Sequence, residues 1–373
     1  MSTTAARLPI SQSTFRTLSG LGIASAAAFG LGAVISPQQV WPNLLTASFY
    51  LLGLGLAGVL FLALTRITGG RWHNELRPIP EAMGRALPMV APLFGAVILF
   101  GVMYYPWMHH DGHHSASFWF KEWWLTSTFV GESFPSFFAV RTIAYLVLLS
   151  LLARPVMSRS HHTAGTGSAS FLVAFAIVFS LAGVDWVMSL EPMWFSTMFG
   201  VYQFSGIFLS GLAAITVIAT LLSRAGVWRG QLTENQLRDL GILTFSFSCF
   251  WMYIWYCQYM LIWYANIPEE TFYYVDRIRG AWHPLFLANV VLNWVVPFAV
   301  LISRPAKRNA NVMFKVAIVI LLGRWLDIYL MVVPSRETAQ PEIGFCEIGS
   351  FLAVIALFGF ALFYVFRRGL PQT

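Results

Sequence analysis

Apolar residues run through this chain in blocks of about 20, the length a helix needs to cross the hydrocarbon core of a bilayer, and polar residues gather in the stretches between them. Ten such blocks are read, at residues 17–35, 44–65, 86–106, 135–153, 170–190, 197–222, 241–264, 284–302, 312–333 and 347–366. The pattern predicts an all-α polytopic membrane protein of about ten spans, with one transmembrane domain over residues 1–373. The first block lacks a charged leader, a short apolar centre and a small-residue cleavage site, so it is expected to be retained as a span.

Composition agrees with the pattern: 57% of residues are hydrophobic, 10% charged and 16% aromatic, and mean hydropathy is +0.67. Charge then orients the chain. Arg7, Arg16, Arg66, Arg71, Arg77, Arg85, Arg154, Arg159, Arg224, Arg229, Arg238, Arg304, Lys307, Arg308, Lys315, Arg367 and Arg368 fall on one side, against only Lys121, Arg277, Arg279 and Arg336 on the other. The positive-inside rule therefore predicts both termini in the cytoplasm. The net charge of +7 is read as membrane anchoring beside anionic lipid and needs no nucleic acid as partner.

Three longer connections, 107–134, 265–283 and 334–346, lie on the less basic side and suggest docking of other subunits there. The first holds His109, His110, Asp111, His113 and His114. Adjacent histidines seldom converge on one ion, so this loop is read as solvated or partner-contacting, with no metal site. Seven of eight histidines fall in loops and only His283 stands at a span entrance, which argues against haem ligated within the chain. Cys249, Cys257 and Cys346 form no Cys-x-x-Cys pair, and no iron–sulfur cluster is expected on this chain alone.

Within the spans, Ser246, Cys249, Tyr253 and Tyr256 step by three and four residues, and Asn289 and Asn293 are one turn apart. Both sets are expected to face the bundle interior, as interhelical hydrogen bonds or as part of a proton or ligand path. Gly22, Ala26 and Gly30 read as a close helix contact. Charge inside lipid is costly and points to function. Arg324 and Asp327 are neighbours on one helix face, whereas Arg141 has no acid on its own helix and is expected to pair with Asp185 or Glu132. Such pairs either fix helix register or carry protons.

A weak internal duplication is also visible, about 44–190 and 197–333, two four-helix units flanked by the first and last spans. Phe134-Pro-Ser-Phe137 parallels His283-Pro-Leu-Phe286, and Asp185-Trp186 parallels Arg324-Trp-Leu-Asp327.

The segment Gly183–Gly206 (GVDWVMSLEPMWFSTMFGVYQFSG), with Trp282-His-Pro-Leu285, Ser303-Arg-Pro-Ala-Lys-Arg-Asn309 and Gly323-Arg-Trp-Leu-Asp-Ile-Tyr329, resembles the smaller NrfD-like membrane subunit of bacterial alternative complex III, the ActF type. The resemblance extends over nearly all of residues 80–335. It implies a quinol:cytochrome c or quinol:electron-acceptor oxidoreductase of the bacterial cytoplasmic membrane. In that complex, iron–sulfur and multihaem c-type cytochrome subunits sit on the periplasmic side of two NrfD-like proteins, and the larger NrfD-like subunit is the better candidate for quinol oxidation. For this chain the expectation is a proton path through Tyr253, Asp185, Arg141, Arg324, Asp327 and His283, with Glu132 or Glu191 at the outer exit. A quinone or menaquinone headgroup pocket near the outer ends of spans four, five and eight would use His283, Trp282 and Glu132. Two other classes remain open: a secondary transporter, and a passive anchor for outer redox subunits.

Overall fold

The computed structural model describes residues 12–70, 74–108, 124–128, 135–158, 161–226, 232–335, 341 and 343–368, and all regular structure among them is helical. The helices are α1 (Gln12–Ile35), α2 (Val40–Ile67), α3 (Pro78–Arg85), α4 (Leu87–Phe100), α5 (Ser136–Val156), α6 (His161–Ala174) and α7 (Ser180–Trp186). They continue with α8 (Phe199–Arg224), α9 (Glu234–Ala265), α10 (Pro268–Ile278), α11 (His283–Val290), α12 (Val296–Leu301), α13 (Arg304–Arg308), α14 (Ala310–Val332) and α15 (Phe345–Arg368). Single π turns, Phe175–Phe179 and Val291–Val295, join α6 to α7 and α11 to α12 into two continuous rods.

Among the described residues nine helical segments are long and apolar enough to cross a membrane: Gln12–Ile35, Pro37–Ile67, Pro78–Phe100, Ser136–Val156, Gly165–Leu190, Phe199–Arg224, Glu234–Ala265, Gly280–Leu301 and Phe345–Arg367. The chain is thus a polytopic, membrane-embedded helical protein. The remaining expected span, 312–333, does form a helix of 23 residues, α14, but Lys315, Arg324 and Asp327 along it make it too charged to count by length and apolarity alone.

Helix α2 is the hub, and its most apolar stretch is 94% buried. It packs on α3 and α4, on α8 and α14, and on α15. Glycines set the closest approaches: a Cβ at Gly58 would lie 2.5 Å from the Pro80 carbonyl oxygen, and one at Gly211 2.4 Å from Ala57. Trp41 at the start of α2 lies against Tyr104 and Tyr105 past the end of α4, which fixes these two helices as antiparallel. The end of the bundle where α1 meets α2, called here the upper end, also carries Tyr105, Trp186, Tyr202 and Phe345. At the lower end, Glu81 of α3 is buried and accepts from Arg85 at 2.6 Å, with Arg77 at 3.8 Å.

Helix α1 touches the bundle through α15, with a face different from the one expected. Gly32 packs on Cys346, Phe29 on Gly349 and Leu18 on Gly359, whereas Gly30 faces open space. Gly22 meets only Phe360. Small residues at spacing four indicated a contact, but the helix is rotated so that Ser25 and Gly32 are its buried positions.

Candidate functional site

Helix α14 buries a cation and an anion one turn apart, Arg324 and Asp327, each 1% exposed. The i,i+3 spacing puts both on one face, so the guanidinium donates from Nη1 directly to Oδ2 of the carboxylate. The other oxygen of Asp327 accepts from the hydroxyl of Tyr202 on α8 and from the amide of Asn289 on α11, the latter at 2.7 Å. Asn293 in turn donates to the Asn289 side-chain oxygen at 2.7 Å and to its carbonyl at 2.9 Å. The π turn containing Asn293 disturbs the helical ladder, and the Ser248 hydroxyl of α9 donates to the Asn293 carbonyl at 2.6 Å. Gly206 on α8 makes room for the guanidinium, since a Cβ there would stand 1.9 Å from Nη2 of Arg324.

A second buried carboxylate has the same kinds of partner. Asp185, fully buried in α7, accepts from Nε of Arg141 on α5 at 2.9 Å, from the Tyr145 hydroxyl at 3.1 Å and from the Trp124 indole N–H at 2.8 Å. Arg141 also donates to the Trp124 carbonyl at 2.8 Å and stacks against the rings of Trp124 and Phe137, at 4.2 and 4.4 Å. Each aspartate therefore holds one guanidinium, one tyrosine hydroxyl and one further N–H, a donor set that stabilises the carboxylate where lipid would otherwise disfavour it.

Between Asp327 and the upper surface lies a cavity of about 20 Å³. Tyr202, Gln258, Tyr273, Tyr274, Arg277, Asn289 and Asp327 contribute to its wall. Its size admits about one water molecule, with polar groups enough to bind it. Arg277 of α10 closes the upper side: Nη2 meets Glu191 at 3.1 Å, Nε donates to the Leu330 carbonyl at 2.8 Å, and the guanidinium stacks 3.6 Å from the Tyr273 ring. Burial raises the Glu191 carboxyl above the ordinary glutamate range, and Arg277 opposes that rise without cancelling it. Burial likewise raises the hydroxyls of Tyr273 and Tyr274, which remain proton donors at neutral pH.

The expected site residues divide. Arg141 and Asp185 form one cluster and Arg324 and Asp327 the other, while Glu191 borders the path upward through Arg277. Tyr253 belongs to neither cluster: it is 61% exposed on the outside of α9. The whole Ser246, Cys249, Tyr253, Tyr256 stripe faces outward or sideways, and the interior face of α9 is Thr244, Ser248, Trp251 and Gln258. The period was legible, but the phase was not, because lipid-facing and core-facing positions are both apolar. His283 is exposed at the start of α11, with Nδ1 3.1 Å from the Ile278 carbonyl. Its neighbour Trp282 points the other way, into a small apolar cluster with Leu326, Tyr329, Leu330 and Val333. Glu132, like His109, His110, His113 and His114, lies outside the described residues.

Of the three residues expected at a quinone headgroup, Trp282 is buried and His283 exposed, with side chains that diverge, while Glu132 lies outside the described residues; the cavity at Asp327 is far smaller than the roughly 300 Å³ at which small-molecule sites begin. A cavity of about 270 Å³ between α1, α2, α4 and α15 is lined almost wholly by apolar groups, with Ser25, Ser48 and Ser350 as its polar exceptions. Charged side chains, Arg277 and Asp327, line only the smaller of these two spaces. Sequence reasoning missed Tyr202, Tyr145, Trp124 and Arg277. Tyr145 stands four residues after Arg141 on the same face, a spacing the sequence shows; Arg277 reads from the sequence only as a loop charge.

Comparison with protein-family models and with curated proteins finds no match to this chain.

Proposed function

We propose that the chain is a membrane subunit of a quinol:cytochrome c, or related quinol:periplasmic acceptor, oxidoreductase of a bacterial cytoplasmic membrane, and that it supplies a proton-transfer route. The single observation behind this reading is the buried Asp327 site and its water-sized polar cavity leading to Arg277 and Glu191. Asp327 and Asp185 are the groups that take up and release protons. Arg324 and Arg141 hold them in place and set their charge balance, Tyr202 and Tyr145 relay hydrogen bonds, and Glu191 exchanges with the upper, outer surface. The matched donor sets of Asp185 and Asp327 support descent of the two halves from one duplicated unit. Quinol oxidation, c-type haem and iron–sulfur clusters belong in this reading to partners, the larger NrfD-like subunit and the periplasmic subunits; no step on this chain passes through a quinone.

The size of the cavity at Asp327 favours proton transfer over transport of a solute, because one water fills it. The saturation of both carboxylates by donors favours a second reading, a passive anchor whose ion pairs fix helix register. Purification of the chain from its native membrane in mild detergent, with a reduced-minus-oxidised visible spectrum, tests membership in a redox complex. The expected result is co-purifying c-type haem reduced by added quinol; a colourless, solitary chain active in solute uptake by liposomes overturns it.

A further inference from the structure

The outward face of α9 is unusual for a surface turned to lipid. Ser246, Cys249, Tyr253, Tyr256, Met260 and Trp263 follow one another at steps of three and four, forming a single stripe along the helix. Tyr253 is 61% exposed, Tyr256 49% and Trp263 66%. Gly241 of the same helix lies against Lys307, which marks the lower membrane surface. At 1.5 Å per residue Tyr253 stands about 18 Å above it, well inside a hydrocarbon layer of about 30 Å. Trp263 and Tyr264 sit at the height of an interfacial aromatic belt. The hydroxyls of Ser246, Tyr253 and Tyr256 do not, and they have no hydrogen-bond partner among the described residues. Lipid tails offer them none.

From this face we infer that α9 packs against a transmembrane helix of a different polypeptide, one that presents small residues and hydrogen-bond acceptors to the Tyr253 and Tyr256 hydroxyls. A second copy of this chain fits poorly. Two copies with the same membrane orientation, related by a two-fold axis along the bilayer normal, would set Tyr253 against Tyr253, Tyr256 against Tyr256 and Met260 against Met260. The stripe offers no glycine or alanine from Ser246 to Trp263 to receive such side chains, whereas close contacts between membrane helices depend on small residues. The inference rests on the reading of the chain as one membrane subunit of a complex, and it names the side of the chain on which that neighbour sits.

The test is photo-cross-linking in native membranes with p-benzoylphenylalanine in place of Met260, and in place of Val147, 50% exposed on α5, as the comparison position. The expected result is a discrete adduct from position 260 with a polytopic membrane protein and none of that mass from position 147. Adding Tyr253→Phe and Tyr256→Phe should weaken the association by about eightfold, from two interhelical hydrogen bonds of typical strength in membranes, and the adduct yield with it. An adduct unaffected by the double Phe change, lipid adducts alone, or a dimer of the 41.8 kDa chain overturns the inference. A polytopic partner that carries no quinol-dependent haem reduction leaves the interface standing and overturns the redox reading instead; haem reduction retained without any adduct at position 260 does the reverse.

Discussion

Asp327 satisfies three donors that reach it from three helices, and removing any one party has unequal consequences. In Asp327→Asn the Arg324 guanidinium stays buried with its counter-charge gone, and the expected loss of stability is about 3–5 kcal/mol. Neutralising both, as Arg324→Gln with Asp327→Asn, should recover most of that loss; thermal unfolding in detergent compares the two. Glu191 gives a pH-dependent counterpart. Its folded carboxyl lies above the ordinary value of 4.5 because burial outweighs the pull of Arg277, so the folded state binds the proton more tightly than the unfolded chain. The contribution to stability is full below that ordinary value and is lost as pH rises through the raised one. Glu191→Gln is accordingly expected to flatten the fall of the unfolding midpoint as pH is raised from about 4.5, measured at fixed ionic strength. The charged members of both clusters were legible in the sequence because charge stands out in an apolar run. Tyr202, Tyr145 and Trp124 were not, since aromatic residues make up 16% of the chain and most of them are packing.

At the scale of elements, the spans were readable and their rotation was not. Blocks of apolar residues mark helices of the required length, yet a membrane helix is apolar on both its lipid and its protein faces, which removes the contrast that sets the phase of a soluble helix. Hence α9 turned its Tyr253 stripe outward, and α1 used Gly32 in place of Gly30. Phase is set instead by close contacts. The α8–α14 packing is the sharpest case: Gly206→Ala is expected to displace the Arg324 guanidinium, with a stability loss of about 1–3 kcal/mol, observable as a lowered unfolding temperature. A second tie joins α2 to α15, where Glu347 accepts from the Asn43 amide at 2.7 Å and from the Gly344 N–H at 2.9 Å. Asn43→Ala leaves that buried carboxylate without its interhelical donor and should lower stability by about 1–3 kcal/mol, on the same assay. Glu347 carried no signal in the sequence, because it stands at the edge of its span, where an acid is ordinary.

For the whole molecule, the buried carboxylates Asp185, Asp327 and Glu347 lie toward the upper end, and Glu81, paired with Arg85, lies at the lower end. The water-sized cavity belongs to the upper-end group, beside Asp327, and the proposed proton route would open on that side. In the proposed route Asp327 carries the protons and the rest of its cluster is the frame. The direct measurement is the number of protons released per quinol oxidised by the assembled complex in sealed vesicles, wild type against Asp327→Asn, with subunit content checked by gel. Release per quinol is expected to fall while quinol oxidation continues in a complex of unchanged composition. Unchanged proton release from an intact complex carrying Asp327→Asn contradicts the proposed route.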